Sequence, residues 1–157
     1  MHKPSSLLVA AAMLATLGAC SDPPPLDVDG GFLRLNPNPN APSAAYFTIH
    51  GGADDVVLRD VLTDEAVRVE IHESSTKDGV ASMRPVKTVD VPAGATVKFE
   101  PGGKHLMLWS INPQALADKK MTFTFIFSNG QRILADAIVQ QPDTEGAMTG
   151  MEDHSGH

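Results

Sequence analysis

Residues 121–139 read MTFTFIFSNGQRILADAIV, and this stretch decides the fold class. In its first half, apolar residues alternate with threonine, which is the two-residue period of a strand with one buried face. Its second half is again rich in apolar and β-branched residues. Asn129-Gly130 lies between the two halves and favours a two-residue hairpin turn. The stretch therefore predicts two antiparallel strands joined by a tight turn, with Met121 starting a core strand.

Similar short runs recur through the body of the chain, and Gly-, Pro- or Asn-containing turn signals separate them. Helical periodicity is almost absent. The predicted strands cover 32–35, 44–50, 56–63, 67–73, 83–86, 96–100, 105–111, 121–128 and 132–139. Such a succession indicates one all-β domain, either an antiparallel sandwich or a barrel.

Two histidines and two methionines within these strands form a candidate metal site. His72, Met83, His105 and Met107 follow the pattern H-x10-M-x21-H-x-M. Thioether sulfur favours Cu(I), and imidazole accepts both copper states. Taken singly, a strand histidine is usually a surface residue and a methionine usually fills the core. His50, which precedes Gly51-Gly52, is interpreted as a residue that flanks a turn and does not bind metal.

Strand alternation places part of this site. His72 shares a face with Arg68 and Glu70, so it is predicted to point away from the core. His105 and Met107 share a face because they lie two residues apart. Alternation does not say which face of their strand is buried. A turn at Asp78-Gly79 can bring Met83 back towards His72, which predicts a shallow surface site.

The spacing resembles that of the periplasmic copper chaperones called PCuAC. "IHESSTKDGVASM" supplies His72 and Met83, "GKHLMLW" supplies His105 and Met107, and "AAYFTIH" looks like the first core strand of that family. The resemblance covers residues 26–140. It implies a cupredoxin-like Greek-key β-sandwich that binds Cu(I) through the four residues. It further implies delivery to the CuA centre in the copper subunit of cytochrome c oxidase, alongside a Sco-type thiol protein.

Other functions remain open at this stage. The same site could store copper or confer copper resistance, and the domain could be a metal-free interaction module of the cell envelope. An enzyme is the least favoured class, because the sequence contains no nucleophile elbow, triad or carboxylate-rich metal centre. A copper redox enzyme is the remaining alternative within that class.

The amino terminus is predicted to direct the protein out of the cytoplasm. Residues 1–19 resemble a lipoprotein-type signal peptide, with an apolar run too short to span a bilayer. The run ends at Cys20, the single cysteine of the chain, which is the predicted lipidation site. Residues 20–25 would form a Pro-rich spacer. The protein is thus expected in the bacterial periplasm, anchored to a membrane by lipid. Ordinary cleavage, leaving a free thiol on a soluble protein, is the alternative.

Charge and cysteine content exclude further classes. The formal net charge is −7, and an acidic chain is a poor ligand for nucleic acid. Lipidation of Cys20 would leave no thiolate for a blue-copper electron-transfer site. No other apolar run is long enough to cross a membrane, so membrane contact is expected through the lipid anchor only.

The carboxyl-terminal segment, residues 141–157, is predicted to be a flexible tail with metal-binding composition. Met148, Met151, His154 and His157 recur at intervals of three, beside acidic residues. Imidazole with carboxylate suits Cu(II), and the thioethers could assist with Cu(I). An auxiliary copper site is the favoured hypothesis, and a polar tail with accidental periodicity is the alternative.

Overall fold

The computed structural model describes residues 24–140, which contain ten β-strands and one short helix. The strands are β1 (Asp27–Arg34), β2 (Ser43–His50), β3 (Val56–Leu62), β4 (Ala66–Lys77), β5 (Val80–Pro85), β6 (Val89–Val91), β7 (Thr96–Lys98), β8 (Lys104–Ile111), β9 (Lys120–Phe127) and β10 (Arg132–Gln140); helix α1 is Pro113–Asp118. In this part of the chain no helix is long and apolar enough to cross a membrane.

The strands form one hydrogen-bonded sheet that curls over its own core. Their order is β5-β4-β8-β2-β1-β10-β9-β3-β6, and β7 also pairs with β2. All pairs are antiparallel except β1 with β10. Phe47 of β2 packs edge-on against Phe123 and Phe125 of β9, with ring centroids 5.1 and 4.9 Å apart. Two strands separate β2 from β9 in the sheet, so these contacts show that its two halves face each other as a sandwich.

Two hairpins have different turns. Residues 78 and 79 both have positive φ, 52° and 79°, and join β4 to β5 as the expected two-residue turn. The β9–β10 hairpin is also present, but its loop has three residues rather than two. The Phe127 N–H donates to the Gln131 carbonyl, and only Gly130 has positive φ. The Asn129 side chain accepts from the Gln131 N–H at 3.0 Å, a local contact that favours the longer loop.

The structure adds two elements to those predicted. Strand β6 has only three residues, too few to show an alternation in the sequence. The turn signal Asn112-Pro113, between the predicted strands 105–111 and 121–128, starts helix α1. The Asn112 side chain caps the helix by accepting from the Gln114 N–H at 3.0 Å, and proline is well suited to the first helical turn.

The aromatic contact between the two halves yields a stability prediction. Phe47→Ala removes a side chain that is 1% exposed, and such a change typically costs about 3–5 kcal/mol. The control Leu134→Ala alters a side chain that is 68% exposed and should change the free energy of unfolding by less than about 0.5 kcal/mol. Urea denaturation measures both, and equal losses would contradict the assigned core.

Candidate metal centre

Three adjacent strands carry the four predicted ligands. His72 of β4 lies directly opposite His105 of β8, and Met107 lies opposite Glu70. On the other side of β4, Met83 of β5 lies opposite Ser74, one diagonal step from His72. Directly paired residues share a face, and so do residues two apart in a strand. The structure therefore brings all four side chains to one face, and we call them the His/Met cluster.

That face is the outer one. Ile71, Leu106 and Leu108 belong to the hydrophobic core, so their neighbours in the strand point outwards. The prediction that His72 points away from the core is confirmed. The open question about β8 is also answered, because its leucines face inwards and His105 and Met107 face outwards. Strand β8 is the immediate neighbour of β4, whereas the sequence did not predict how near these two strands lie.

His105 is held by a backbone carbonyl. Its side chain is on the outer face, yet the residue is only 7% exposed. Nδ1 lies 3.0 Å from the Gly103 carbonyl oxygen, which can only accept, so Nδ1 carries the proton. The same oxygen accepts from the Ser74 N–H of β4 at 3.0 Å. In the neutral ring this leaves the Nε2 lone pair available to a metal.

His72 is held by a carboxylate. Its Nε2 lies 3.0 Å from Oε2 of Glu70, so Nε2 carries the proton. Among residues 24–140, Nδ1 of His72 is buried and has no hydrogen-bond partner. A buried polar atom without a partner is unusual and unfavourable. The His72 and His105 ring centroids are 6.1 Å apart. Because metal–imidazole bonds measure about 2.0–2.1 Å, this separation is within the range that two imidazoles bound to one ion can adopt.

The two thioethers differ in exposure. Met83 is 54% exposed on the edge strand β5, whereas Met107 is partly buried between Glu70 of β4 and Ala44 of β2. Diagonal neighbours in a sheet lie about 7–8 Å apart, within reach of long side chains. The cluster therefore combines two sheltered imidazoles with one sulfur open to solvent, as expected for a shallow site.

Aromatic and charged side chains border the cluster. The Trp109 and His72 ring centroids are 6.2 Å apart. The Arg68 guanidinium lies over the Trp109 ring, 3.8 Å from the centroid of that ring. The Tyr46 ring lies 6.4 Å from His105 on the other side. The hydrogen bond from His72, then the Arg68 charge, holds the pKa of Glu70 below its ordinary value. Sequence alternation had placed Arg68, Glu70 and His72 together, but it gave no sign of these contacts.

A row of charges ties the three strands together from the opposite face. Glu73 of β4 accepts from Lys104 of β8 at 3.0 Å and from Arg84 of β5. The Lys104 hydrogen bond and charge, followed by those of Arg84, hold the pKa of the Glu73 carboxyl low. Ion pairs that remain partly open to solvent add little stability singly. Here they connect the strands that carry Met83, His72 and His105.

Other predicted residues fall outside the cluster. His50 pairs with Asp29 at 3.2 Å, and Met121 is fully buried in the core, both as expected. Cys20, Met148, Met151, His154 and His157 lie outside the described residues. Between residues 24 and 140, no group of three or more His, Cys, Asp or Glu side chains could hold a metal.

The family of the chain is shown by its sequence. The sequence model described as "Putative lipoprotein LpqE-like" matches residues 26–139. The chain belongs to the LpqE-like family. The LpqE-like chain is also 31% identical over 80 residues to "Putative lipoprotein Lxx21020" of Leifsonia xyli subsp. xyli, an alignment that covers 50% of this chain and 48% of that relative. It thus matches about half the length of this curated relative.

Solved structures support the fold of the LpqE-like chain. The copper-bound PCuAC domain from PmoF2 aligns with 78% of this chain and 100% of its own, with a TM-score of 0.59 and 17% identity. Cu(I)-bound DR1885 from Deinococcus radiodurans aligns with 78% of this chain and 83% of its own, with a TM-score of 0.60 and 21% identity. These likenesses confirm the predicted cupredoxin-like Greek-key β-sandwich, and the resemblance to PCuAC domains holds for the fold.

Proposed function

We propose that this LpqE-like protein is a copper carrier that binds Cu(I) through His72, Met83, His105 and Met107. The observation that carries the proposal is the state of the two imidazoles. His72 and His105 lie opposite each other on adjacent strands, and each ring has one nitrogen in a hydrogen bond. Among the described residues, the second nitrogen of His72 is buried and has no partner. Two methionines lie on the same face of the same three strands.

The donor set favours Cu(I) over harder metals. Thioethers are soft, neutral ligands that suit Cu(I), whereas calcium and magnesium need oxygen ligands. Zinc sites in proteins use cysteine, histidine and carboxylate. Solved structures of the same fold include a copper-bound PCuAC domain and Cu(I)-bound DR1885, which supports copper as the ion. Neutral ligands also leave the positive charge of the ion uncompensated, which eases its release.

Exposure of Met83 supports transfer rather than permanent retention. An edge-strand thioether that is 54% exposed can be replaced by a donor from an acceptor protein without prior unfolding. The carrier would thus hand copper on by ligand exchange. We propose the CuA centre in the copper subunit of cytochrome c oxidase as the recipient, with a Sco-type thiol protein acting in the same route. The protein would act as a carrier and not as an enzyme.

We further propose that the carrier is a lipoprotein of the bacterial periplasm. Membership of the LpqE-like lipoprotein family supports an envelope location, and Cys20 follows the apolar run of the signal peptide. Lipidation there would leave residues 21–26 as a short link to β1. The anchor would keep the carrier close to membrane-bound copper enzymes.

The tail would supply an auxiliary copper site near the first. Gln140, where the described chain ends, pairs with Arg34, which pairs with Ala44, which pairs with Met107. Three strand spacings of about 4.8 Å put Gln140 roughly 14 Å from Met107 along this row. Met148 is eight residues beyond Gln140, so an extended chain covers up to about 26 Å. The tail can therefore reach the His/Met cluster.

Copper affinity tests the main site. Met83→Ala, Met107→Ala and His105→Ala should each weaken Cu(I) binding at least about 100-fold, more than the 10–100-fold typical of losing an outer partner of a ligand. Competition with a Cu(I) chelator measures the affinity. X-ray absorption should find two sulfur and two nitrogen neighbours around the bound ion.

Two controls separate ligand loss from unfolding. Met83→Ala alters an exposed side chain, so its unfolding free energy should change by less than about 0.5 kcal/mol. His50→Ala removes a histidine that contacts Asp29 instead, and it should retain full affinity. Wild-type affinity in all three cluster variants would refute the proposed site.

Tail variants test the auxiliary site. Deleting residues 142–157 should lower the amount of Cu(II) bound per chain and leave Cu(I) at the His/Met cluster. A full-length variant with Met148, Met151, His154 and His157 replaced by alanine keeps the tail length and should give the same loss. Equilibrium dialysis with copper analysis measures both. Unchanged copper stoichiometry and Cu(II) binding would remove the auxiliary site from the proposal.

Oxidase activity tests delivery. A strain lacking the gene should lose cytochrome c oxidase activity at low copper and recover it with the wild-type gene but not with Met83→Ala. Cys20→Ser should move the protein from the membrane to the soluble fraction and restore activity less well. Full oxidase activity in the deletion strain, together with copper sensitivity, would instead indicate storage or resistance.

A further inference from the structure

We propose that Glu70 is a positioning residue that fixes His72 in the Nε2–H tautomer, so that the two histidines present different nitrogens, Nδ1 of His72 and Nε2 of His105, to the same ion. The assignment of these atoms to copper rests on the proposed function. The tautomers themselves do not, because they follow from the hydrogen bonds to Glu70 and Gly103.

The two histidines have opposite partners. A carboxylate oxygen of Glu70 and the carbonyl oxygen of Gly103 both accept, so each requires a proton on the nitrogen that it contacts. The contacted nitrogen is Nε2 in His72 and Nδ1 in His105, each at 3.0 Å. The remaining lone pairs are therefore on Nδ1 of His72 and Nε2 of His105.

Burial supports a ligand role for Nδ1 of His72. It is a buried side-chain atom that has no hydrogen-bond partner in the described part of the chain, and the His72 side chain is 14% exposed. Water therefore has little access to this lone pair. The alternative tautomer would place a proton on Nδ1, where nothing accepts it, and would set the Nε2 lone pair against the Glu70 carboxylate. Both consequences disfavour it.

Glu70 is itself held in place from its other side. Its Oε1 lies 3.6 Å from Nε of Arg68, whose guanidinium stacks on Trp109. Trp109 pairs with Arg68 across β4 and β8, as Met107 pairs with Glu70 and His105 with His72. The chain Trp109–Arg68–Glu70–His72 thus runs beside the cluster and restrains the His72 ring. Planar, stacked arginine performs this role in a way that lysine cannot.

Glu70→Gln tests the assignment directly. The amide can either accept from or donate to Nε2, so it no longer selects one tautomer. Long-range proton–nitrogen NMR of the metal-free full chain, at about pH 8 where an ordinary histidine is neutral, reads the protonated nitrogen of each ring. We expect Nε2–H at His72 and Nδ1–H at His105 in the wild type. In Glu70→Gln, His72 should become a mixture of tautomers while His105 stays unchanged.

A matched control uses the other histidine–carboxylate pair. Asp29→Asn alters the partner of His50 and should leave both cluster rings as they are. Cu(I) affinity should fall about 10–100-fold in Glu70→Gln and stay constant in Asp29→Asn. A wild-type His72 with Nδ1–H, or an unchanged tautomer in Glu70→Gln, would overturn the inference. Absence of Cu(I) binding by the wild type, with the expected tautomers, would overturn only the proposed function.

Discussion

The pairing of β4 with β8 sets His72 opposite His105, Glu70 opposite Met107 and Arg68 opposite Trp109. The positions of both imidazoles and of Met107 relative to one another depend on this register, and the β4–β5 pairing adds Met83. A slip of one residue would turn one strand over relative to the core and bury the polar side chains that now face outwards. Ile71, Leu106 and Leu108 oppose such a slip, because the same register places them in the core. Core packing on one face therefore fixes the metal ligands on the other.

The cluster is rigid at one side and open at the other. His105 is buried and tied to a backbone carbonyl, and His72 is restrained by Glu70 and the stacked Arg68. Met83, by contrast, lies exposed on an edge strand. Rigid imidazoles with an accessible thioether suit a carrier, since affinity and release make opposite demands on a site. In this arrangement the two demands are met by different residues, affinity by the histidines and release by Met83.

Much of the fold could be predicted from residue alternation. The repeated short runs and turn signals predict an all-β domain. The turn predicted at Asp78-Gly79 is present and brings the chain back alongside β4. The sequence predicts a two-residue turn where residues 128–130 form a three-residue loop. A contact of the Asn129 side chain favours the longer loop, and composition does not show that contact. Strand β6 and helix α1 were not predicted either, for a different reason. Both are too short for periodicity to be visible.

By itself, the sequence determined the donors and the spacing of the candidate site, which are the two imidazoles and two thioethers of the H-x10-M-x21-H-x-M pattern. It also showed that Cys20 is the single cysteine. It also placed His72 on the outer face, since alternation is a local property of a strand. Only the tertiary structure decided that β8 lies beside β4 and that its leucines face inwards. It alone paired His72 with Glu70 and, within the described residues, left Nδ1 of His72 without a partner. These are contacts between segments distant in the chain or between particular atoms, which local sequence patterns do not encode.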